Sequence, residues 1–112
     1  MKKLDMAWMY ILECKDGSYY VGSTTDIERR VWQHNQGDGA DYTARRRPVK
    51  LVFATEFAKI EDAYAAEKQV QGWRRDKREA LIRGDYDVLP ALSRKIFLKK
   101  STDDEIRSAP VE

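Results

Sequence analysis

The amino-acid sequence predicts an α+β domain, a small three-stranded antiparallel sheet that is flanked by helices. Two short segments rich in apolar and aromatic residues surround the turn signal Lys15-Asp16-Gly17, which is typical of a β-hairpin. A third segment of β composition begins after Pro48, a residue tolerated at the start of a strand. The intervening and following segments have the spacing of amphipathic helices. A hairpin, a helix, one more strand and then only helices describe the α+β class.

Each strand and helix is predicted from a local signal. The predicted strands span residues 6–13, 18–22 and 49–57. Thr25 and Glu28 have the spacing of a capping box, so a first helix is expected to begin directly after Thr25. The predicted helices span residues 26–36, 60–71, 74–83 and 90–98. Residues 37–48 are expected to form a basic loop, because they show no clear period.

The length of the hairpin loop decides which side chains share a face of the sheet. With a three-residue loop, Gly17 takes the left-handed conformation, Leu12 faces Tyr20, and Tyr10 faces Gly22. The Tyr10 and Tyr20 side chains then leave the same face, whereas a two-residue loop would place them on opposite faces. We predict the three-residue loop. Tyrosines in strands are more often packing residues, so this arrangement alone indicates no function.

Length and composition indicate one domain. With 112 residues, 42% hydrophobic and 36% charged, the chain suits a single modest core under a heavily solvated surface rather than a disordered protein. We predict a single domain over residues 1–100 and an acidic, flexible tail over residues 101–112. No apolar run reaches the roughly 18 residues of a membrane helix, and no signal peptide is evident. A lone cysteine, Cys14, forms no internal disulfide, so we expect a cytoplasmic protein without a membrane partner.

The first helix carries polar residues next to its buried stripe. Ile27, Arg30, Val31 and His34 follow the i, i+3, i+4, i+7 spacing of one helix face. Burying Ile27 and Val31 against the sheet brings Arg30 and His34 to the same buried edge. Either these two side chains point outward from the rim of the stripe, or they belong to a site.

The second long helix has the same anomaly. Ala63, Ala66, Glu67 and Val70 share one face, and the small alanines allow close packing. A carboxylate on this face is partly desolvated. Such burial is unfavourable unless Glu67 forms an ion pair with an arginine or holds a cation.

Taken together, these residues resemble the GIY-YIG nuclease superfamily. The resemblance rests on the order and spacing of Trp8-Met9-Tyr10, Tyr20-Val21-Gly22, Arg30, His34 and Glu67. It covers roughly residues 6–90 and is closest to the small stand-alone bacterial members, through the stretches YYVGSTTDIERRVWQHN and EKQVQGWRRDKREALI. It implies the fold described above. It also implies an endonuclease that hydrolyses phosphodiester bonds in DNA, with branched or damaged DNA and a part in DNA repair as the expected setting.

The resemblance implies a role for each of these residues. Glu67 would be the only protein carboxylate on a single Mg²⁺ or Mn²⁺ ion, with water and phosphate oxygens as the other ligands. Arg30 would neutralise charge on the scissile phosphate. Tyr20 would orient or deprotonate the attacking water, with Tyr10 in support. A free tyrosine has a pKa near 10, so this role needs a nearby cation. His34 would hold a tyrosine or relay a proton.

Three positions depart from the family pattern. Trp8 replaces the first motif glycine, a change that the small members tolerate. Ser23 stands where many relatives carry a lysine, so one cationic helper is missing. A segment around Asp85 stands where many relatives have an asparagine, without an evident substitute. These departures concern the strength of catalysis more than its type.

Basic residues supply the predicted nucleic-acid contacts. Residues 101–112 carry a net charge of −3 and the whole chain +2, which leaves +5 for residues 1–100. The expected contact residues are Arg45, Arg46, Arg47, Lys50, Arg74, Arg75 and Arg78. DNA is the expected partner, with RNA as an alternative, because phosphate contacts release counterions. Tyr42 and Trp73 are candidates for stacking on unpaired bases, although each is more often a packing residue.

Two other functions stay open at this point. One is a nucleic-acid-binding module of the same fold with weak or no cleavage. The other is an interaction subunit that works only in a complex. Target recognition by the leading candidate, the nuclease, would come from the basic residues, a homodimer or a partner protein.

Overall fold

The computed structural model describes residues 6–89 and Phe97. The chain forms two compact units, with the boundary between Gly72 and Trp73. Within residues 6–89, the first unit holds the sheet and three helices, and the second holds one helix and a short 3₁₀ helix. Apart from Phe97, which is helical, the predicted helix at 90–98 lies outside the described residues, as does the predicted acidic tail at 101–112. The prediction of one domain over residues 1–100 stays a prediction.

Three antiparallel strands form the sheet, as predicted. They are β1 (Ala7–Glu13), β2 (Tyr19–Thr24) and β3 (Lys50–Phe57). The strand order is β2-β1-β3, so β1 is central and β2 is an edge strand. The central strand is apolar along almost its whole length because both of its faces are covered.

The hairpin has the predicted three-residue loop. Gly17 adopts a φ of 86°, Leu12 pairs with Tyr20, and Tyr10 pairs with Gly22. The rings of Tyr10 and Tyr20 lie on the same face, with their centroids 6.5 Å apart. The turn signal therefore fixes the register that brings the two phenols together.

The helices agree with the prediction except for two short elements. The first unit contains α1 (Ile27–Gln36), α2 (Asp41–Ala44) and α3 (Ile60–Gln71). The second unit contains α4 (Arg75–Arg83) and a 3₁₀ helix (Tyr86–Val88). The expectation that residues 37–48 form only a loop is wrong, because α2 lies within them. A helix of four residues is too short to show a period in the sequence.

The predicted cap of α1 is one residue off. Asp26, not Thr25, precedes the helix, and its Oδ1 accepts a hydrogen bond from Arg29 N at 3.1 Å. Thr24 Oγ1 accepts one from Asp26 N at 3.1 Å. Aspartate caps helices at least as well as threonine, so the sequence offers two adjacent candidates for the residue that precedes α1.

Helices α1 and α3 contribute the buried surface around the sheet. The core cluster contains Tyr10, Leu12, Cys14 and Val49, with Tyr20, Ile27, Val31 and Ala54 packed against it. Cys14 is a buried free cysteine, and burial raises the pKa of its thiol. Helix α3 contacts β1, β2 and β3 and buries Ala63, Ala66, Glu67 and Val70. No helix in residues 6–89 is long and apolar enough to cross a bilayer.

Candidate active site

Tyr10 and His34 form the most buried part of the candidate site. The Tyr10 hydroxyl lies 2.9 Å from His34 Nε2, and both side chains are almost completely buried. A Cβ at Gly22 would overlap the Tyr10 hydroxyl and approach Cζ to 2.6 Å. Glycine at this motif position is therefore required by the close approach of a phenol rather than by a turn.

The other ring nitrogen of His34 reaches α2. His34 Nδ1 lies 2.7 Å from Thr43 Oγ1, and the Thr43 hydroxyl donates to Ala40 O at 3.0 Å. Burial, together with the positive charge of Arg30, lowers the pKa of His34 to about 4, so the imidazole is neutral near pH 7. His34 has no exposed surface, so the alternative that it points outward from the helix rim is wrong.

Tyr20 lies beside these residues but is less enclosed. Its ring centroid is 5.1 Å from that of His34 and 6.2 Å from that of Tyr42, with which it stacks. Within the described residues its hydroxyl makes no hydrogen bond. Burial raises the pKa of Tyr20, the charge of Glu67 raises it further, and Arg30 and Lys68 lower it. The charge of Lys68, the residue after Glu67, thus also acts on this phenol.

Arg30 is a half-buried cation on α1. Its charge acts on Tyr10, Tyr20 and His34, so the guanidinium is close to all three side chains. Among residues 6–89 and Phe97, its side chain makes no hydrogen bond and no ion pair. A half-buried guanidinium without a carboxylate partner is a candidate site for an anion.

Glu67 lies on the packed face of α3, as predicted, with a relative exposure of 9%. Its Oε1 accepts a hydrogen bond from Ser23 Oγ at 2.6 Å, and its Oε2 accepts one from Gln71 Nε2 at 2.7 Å. Gln71 also donates to Val21 O at 3.1 Å, which ties this end of α3 to the edge strand β2. The alternative of an ion pair with an arginine is not found within the described part of the chain. Ser23, which stands where many relatives carry a lysine, thus holds the Glu67 carboxylate by a hydrogen bond.

The donor set around Glu67 fits a single hard cation. In the described ranges no group of three or more His, Cys, Asp or Glu residues could enclose a metal ion. One carboxylate is nevertheless a usual protein contribution for Mg²⁺, which keeps several waters and binds substrate phosphates. Each Glu67 oxygen accepts one hydrogen bond and keeps lone pairs for a cation, and the charge has no other cationic partner in the described residues. Glu67, with Ser23 beside it, could hold such an ion.

The three consecutive arginines of the predicted basic loop are not equivalent. Arg46 pairs with Asp16 at 3.1 Å and donates to Tyr42 O, and its guanidinium lies 3.8 Å from the Tyr42 ring centroid. Arg47 donates from Nε to Ala44 O at 2.9 Å. Arg45 is exposed and makes no such contact within the described residues.

A surface groove adjoins this loop. Its volume is about 480 Å³, and it is lined by Asn35, Ala44, Arg45, Arg47 and Pro48. Lys50, also predicted to contact nucleic acid, is exposed opposite Glu13 in the β1–β3 pairing. Tyr42, considered for base stacking, is 36% exposed and contacts Tyr20 and Arg46, and its stacking on bases stays a prediction.

The remaining predicted contact residues belong to the second unit. Arg74 lies 3.9 Å from Asp76, and Arg75 pairs with Glu79 at 2.9 Å. Arg78 is half-buried on the same helix and also has an interaction. Trp73 packs its edge against Phe97, with ring centroids 6.3 Å apart. Asp85 lies 3.4 Å from Arg83, and no role in place of the missing asparagine follows from this contact.

Sequence reasoning missed three residues around the site. Thr43 is completely buried against His34, and a Cβ at Gly39 would overlap His34 Nδ1 and approach Cε1 to 2.8 Å. Gln71 joins Glu67 to β2. Of these three residues, only Gln71 could have been found from the sequence, because it lies four residues after Glu67 and so on the same helix face.

Known proteins resemble this chain in sequence and in fold. The GIY-YIG catalytic domain profile matches residues 6–80. A UPF0213 protein of Streptococcus pneumoniae serotype 4 is 48% identical over 81 residues, which cover 72% of this chain and 82% of the relative. UPF0213 protein BH0048 of Halalkalibacterium halodurans is 44% identical over 89 residues, which cover 77% and 95%. The solution NMR structure of EF2693 from E. faecalis aligns with a TM-score of 0.51 at 37% identity, covering 72% and 86%.

Proposed function

This chain belongs to the GIY-YIG family, and we propose that it is a metal-dependent endonuclease that hydrolyses phosphodiester bonds in DNA. Branched or damaged DNA is the proposed substrate, and DNA repair in the cytoplasm is the proposed setting. One Mg²⁺ ion, replaceable by Mn²⁺, is the proposed cofactor.

One observation carries the proposal. Two opposite charges, Arg30 and Glu67, act on the same pair of tyrosines, yet neither has a counter-ion within the described residues. Charges that are partly removed from water are unfavourable unless they are paired or bind an ion. A phosphate diester opposite Arg30 and a divalent cation at Glu67 would satisfy both. A phosphodiester bound together with a metal ion would supply a counter-ion to Arg30 and one to Glu67.

The cation would be held by Glu67, whose oxygens are oriented by Ser23 and Gln71. When bound, such an ion polarises a phosphoryl oxygen and stabilises the negative charge of the transition state. The Glu67 charge raises the pKa of Tyr20, and a cation held by Glu67 would offset this effect.

The two phenols take different parts in this proposal. Tyr20 has no hydrogen-bond partner for its hydroxyl in the described residues, so it is available to orient the attacking water or, once it has lost its own proton, to accept that of the water. Tyr10 is committed to His34, and burial raises its pKa far above the usual value. Tyr10 and His34 therefore support Tyr20. Arg30 would neutralise charge on the phosphate, for which its planar guanidinium is suited.

DNA contacts outside the site are assigned to basic residues of the loop, of β3 and of the second unit. Arg45 is the best candidate in the loop, because Arg46 and Arg47 already hold neighbouring groups. Lys50, Arg74, Arg75 and Arg78 remain candidates. We also propose that a homodimer or a partner protein selects the target. Cleavage without target specificity by the isolated chain would be the expected sign of this.

Nicking of supercoiled plasmid and cleavage of branched DNA, with Mg²⁺ or Mn²⁺, test the function. We expect Glu67→Gln and Arg30→Ala to lower the rate by at least about a hundredfold, since each removes charge stabilisation of the transition state. Glu61→Gln and Arg29→Ala are matched controls, because these exposed residues carry the same charges on the same two helices. DNA binding, measured by fluorescence anisotropy with Ca²⁺, should survive in Glu67→Gln.

The outcomes separate the candidate functions. Loss of cleavage in the site variants but not in the controls supports the nuclease. Binding without cleavage by the native chain in either metal favours the nucleic-acid-binding module. Absence of binding to DNA and RNA at low salt favours the interaction subunit.

A further inference from the structure

We propose that Thr43 is a positioning residue of the site, which fixes the tautomer of His34 and thereby keeps Tyr10 a hydrogen-bond donor. The catalytic consequence rests on the proposed function, whereas the order of the hydrogen bonds can be measured without it. Thr43 is not among the motif residues named in the sequence analysis, and it lies on the short helix α2.

The direction of the chain begins at Thr43. A hydroxyl group has one hydrogen, and that of Thr43 is donated to Ala40 O at 3.0 Å. Thr43 Oγ1 can therefore only accept in its contact with His34 Nδ1, at 2.7 Å. It follows that Nδ1 of His34 carries a hydrogen.

The other half of the chain follows from the neutral state of His34. The ring is completely buried, and no carboxylate forms an ion pair with it in the described residues. A neutral imidazole has one N–H, so Nε2 is an acceptor. The Tyr10 hydroxyl must then donate to Nε2 across their 2.9 Å contact. The order is Tyr10 to His34 to Thr43 to the carbonyl of Ala40.

Two glycines confine the side chains of this hydrogen-bonded chain. The His34 ring lies against Gly39, where a Cβ would overlap Nδ1, and the Tyr10 hydroxyl lies against Gly22. Gly39 leaves little room for the imidazole to turn away from Thr43, and Gly22 likewise confines the phenol that reaches Nε2. The rigid packing of a buried site is what holds a hydrogen-bond network in a single state.

As a consequence, the hydroxyl groups of Tyr10 and Tyr20 have different roles. Because its hydrogen is committed to His34, Tyr10 can offer only lone pairs to a water or to Tyr20. Tyr20, whose hydroxyl has no partner within the described residues, is left as the phenol whose proton is free to move. If Thr43 did not impose the tautomer, His34 could donate to Tyr10 instead, and Tyr10 would then offer its own hydrogen to the site.

NMR can read the tautomer directly, since the chain has a single histidine. In protein labelled with ¹⁵N-histidine and freed of any affinity tag, long-range ¹H–¹⁵N spectra distinguish a protonated from an unprotonated ring nitrogen. We expect Nδ1 protonated in the native chain and in Thr43→Ser, which keeps the hydroxyl. In Thr43→Val, of similar shape, the Nε2–H form should appear. Thr43→Ala replaces this variant if valine prevents folding.

The kinetic prediction concerns kcat rather than KM. Thr43→Val should lower kcat for nicking on the order of tenfold to a hundredfold, with KM nearly unchanged, because the residue orients another group without contacting DNA. Thr43→Ser should restore most of the rate. A thermal melt of each variant verifies that the loss occurs in folded protein.

Different results overturn different statements. Protonated Nε2 in the native chain overturns the inference, whatever the enzyme does. An unchanged tautomer or an unchanged kcat in folded Thr43→Val also overturns it, since Thr43 would then be only a packing residue. If the native chain cleaves no DNA but has Nδ1 protonated, the proposed function fails while the order of the hydrogen bonds stands.

Discussion

The candidate site has two halves that differ in how completely their polar groups are satisfied. The closed half consists of Tyr10, His34 and Thr43, which are buried and bonded to one another and to Ala40 O. The charged half consists of Tyr20, Arg30 and Glu67. Its groups interact electrostatically, but its two opposite charges have no counter-ions within the described residues.

This difference indicates where a ligand belongs. Folding accounts for the closed half, because its hydrogen bonds close within the protein and replace those made to water. Folding alone does not account for the charged half, in which a guanidinium and a carboxylate remain without ionic partners. The closed half is thus expected to govern stability, and the charged half is expected to govern ligand binding.

The largest expected effect is a loss of stability when the closed half is crowded. Gly39→Ala and Gly22→Ala would place a Cβ against the His34 ring and the Tyr10 hydroxyl, respectively. Both side chains are buried and cannot move away easily, so each substitution should lower the free energy of unfolding by about 3 kcal/mol. Urea denaturation measures this change.

Gly72→Ala is the matched control. Apart from the adjacent residues, a Cβ there would have Gln69 O at 3.5 Å as its nearest neighbour in space, an ordinary van der Waals distance, and the φ of −83° suits alanine. We expect a change within about 0.5 kcal/mol. Equal stability of the Gly39 and Gly72 variants would show that the His34 ring is not confined, and the comparison between the halves would fail.

The next effect is a dependence of stability on pH. Burial lowers the pKa of His34 to about 4 in the folded chain, whereas an unfolded histidine has a pKa near 6.5. Above pH 7 both states are neutral at this residue. As the pH falls below 6.5, only the unfolded state takes up the proton, so the free energy of unfolding should fall by about 2 kcal/mol at pH 5.

Urea denaturation between pH 7 and pH 5 tests this, with His34→Gln as the control that removes the titrating group. Asp16 also has a lowered pKa, because Ser18 donates hydrogen bonds to it, but its effect on stability lies below about pH 4. A native chain that keeps the same stability over this range, or a His34→Gln variant with the same slope, would contradict a neutral, desolvated imidazole.

The sequence predicted well those features that depend on neighbouring residues or on one helix face. The turn at Gly17 set the register of Tyr10 and Tyr20, and the periodicity of α1 and α3 placed His34 and Glu67 on packed faces. Such features are encoded by local turn chemistry and by the helical period. The three-stranded sheet followed from the same signals.

The sequence could not predict the partners of these side chains. The contacts Tyr10–His34 and Ser23–Glu67 join residues 24 and 44 positions apart, and no local pattern encodes them. Arg45 and Arg46 are adjacent and chemically identical in the sequence, yet Arg46 pairs with Asp16, thirty positions away. Thr43 lay in a segment without a period. These features depend on how the strands and helices pack, which composition does not specify.

The smallest expected effect concerns the charged half, where Ser23 orients the carboxylate. Ser23→Ala removes the 2.6 Å hydrogen bond to Glu67 Oε1 and leaves this oxygen free to rotate away. Groups that orient a metal-binding carboxylate contribute about a factor of ten to affinity, so Mn²⁺ should bind about tenfold more weakly. Isothermal titration calorimetry, or electron paramagnetic resonance of free Mn²⁺, measures the change without any cleavage assay.

Ser18→Ala is a closely matched control, since Ser18 Oγ also donates a 2.6 Å hydrogen bond to a carboxylate, that of the exposed Asp16. It should leave Mn²⁺ affinity unchanged. Ser23→Ala should also leave the free energy of unfolding within about 0.5 kcal/mol of the native value, as a typical surface substitution does. The glycine variants of the closed half should change it far more. If Ser23→Ala lowered stability strongly and left Mn²⁺ affinity intact, Glu67 would be a folding residue. The division between a half that stabilises and a half that binds would then be wrong.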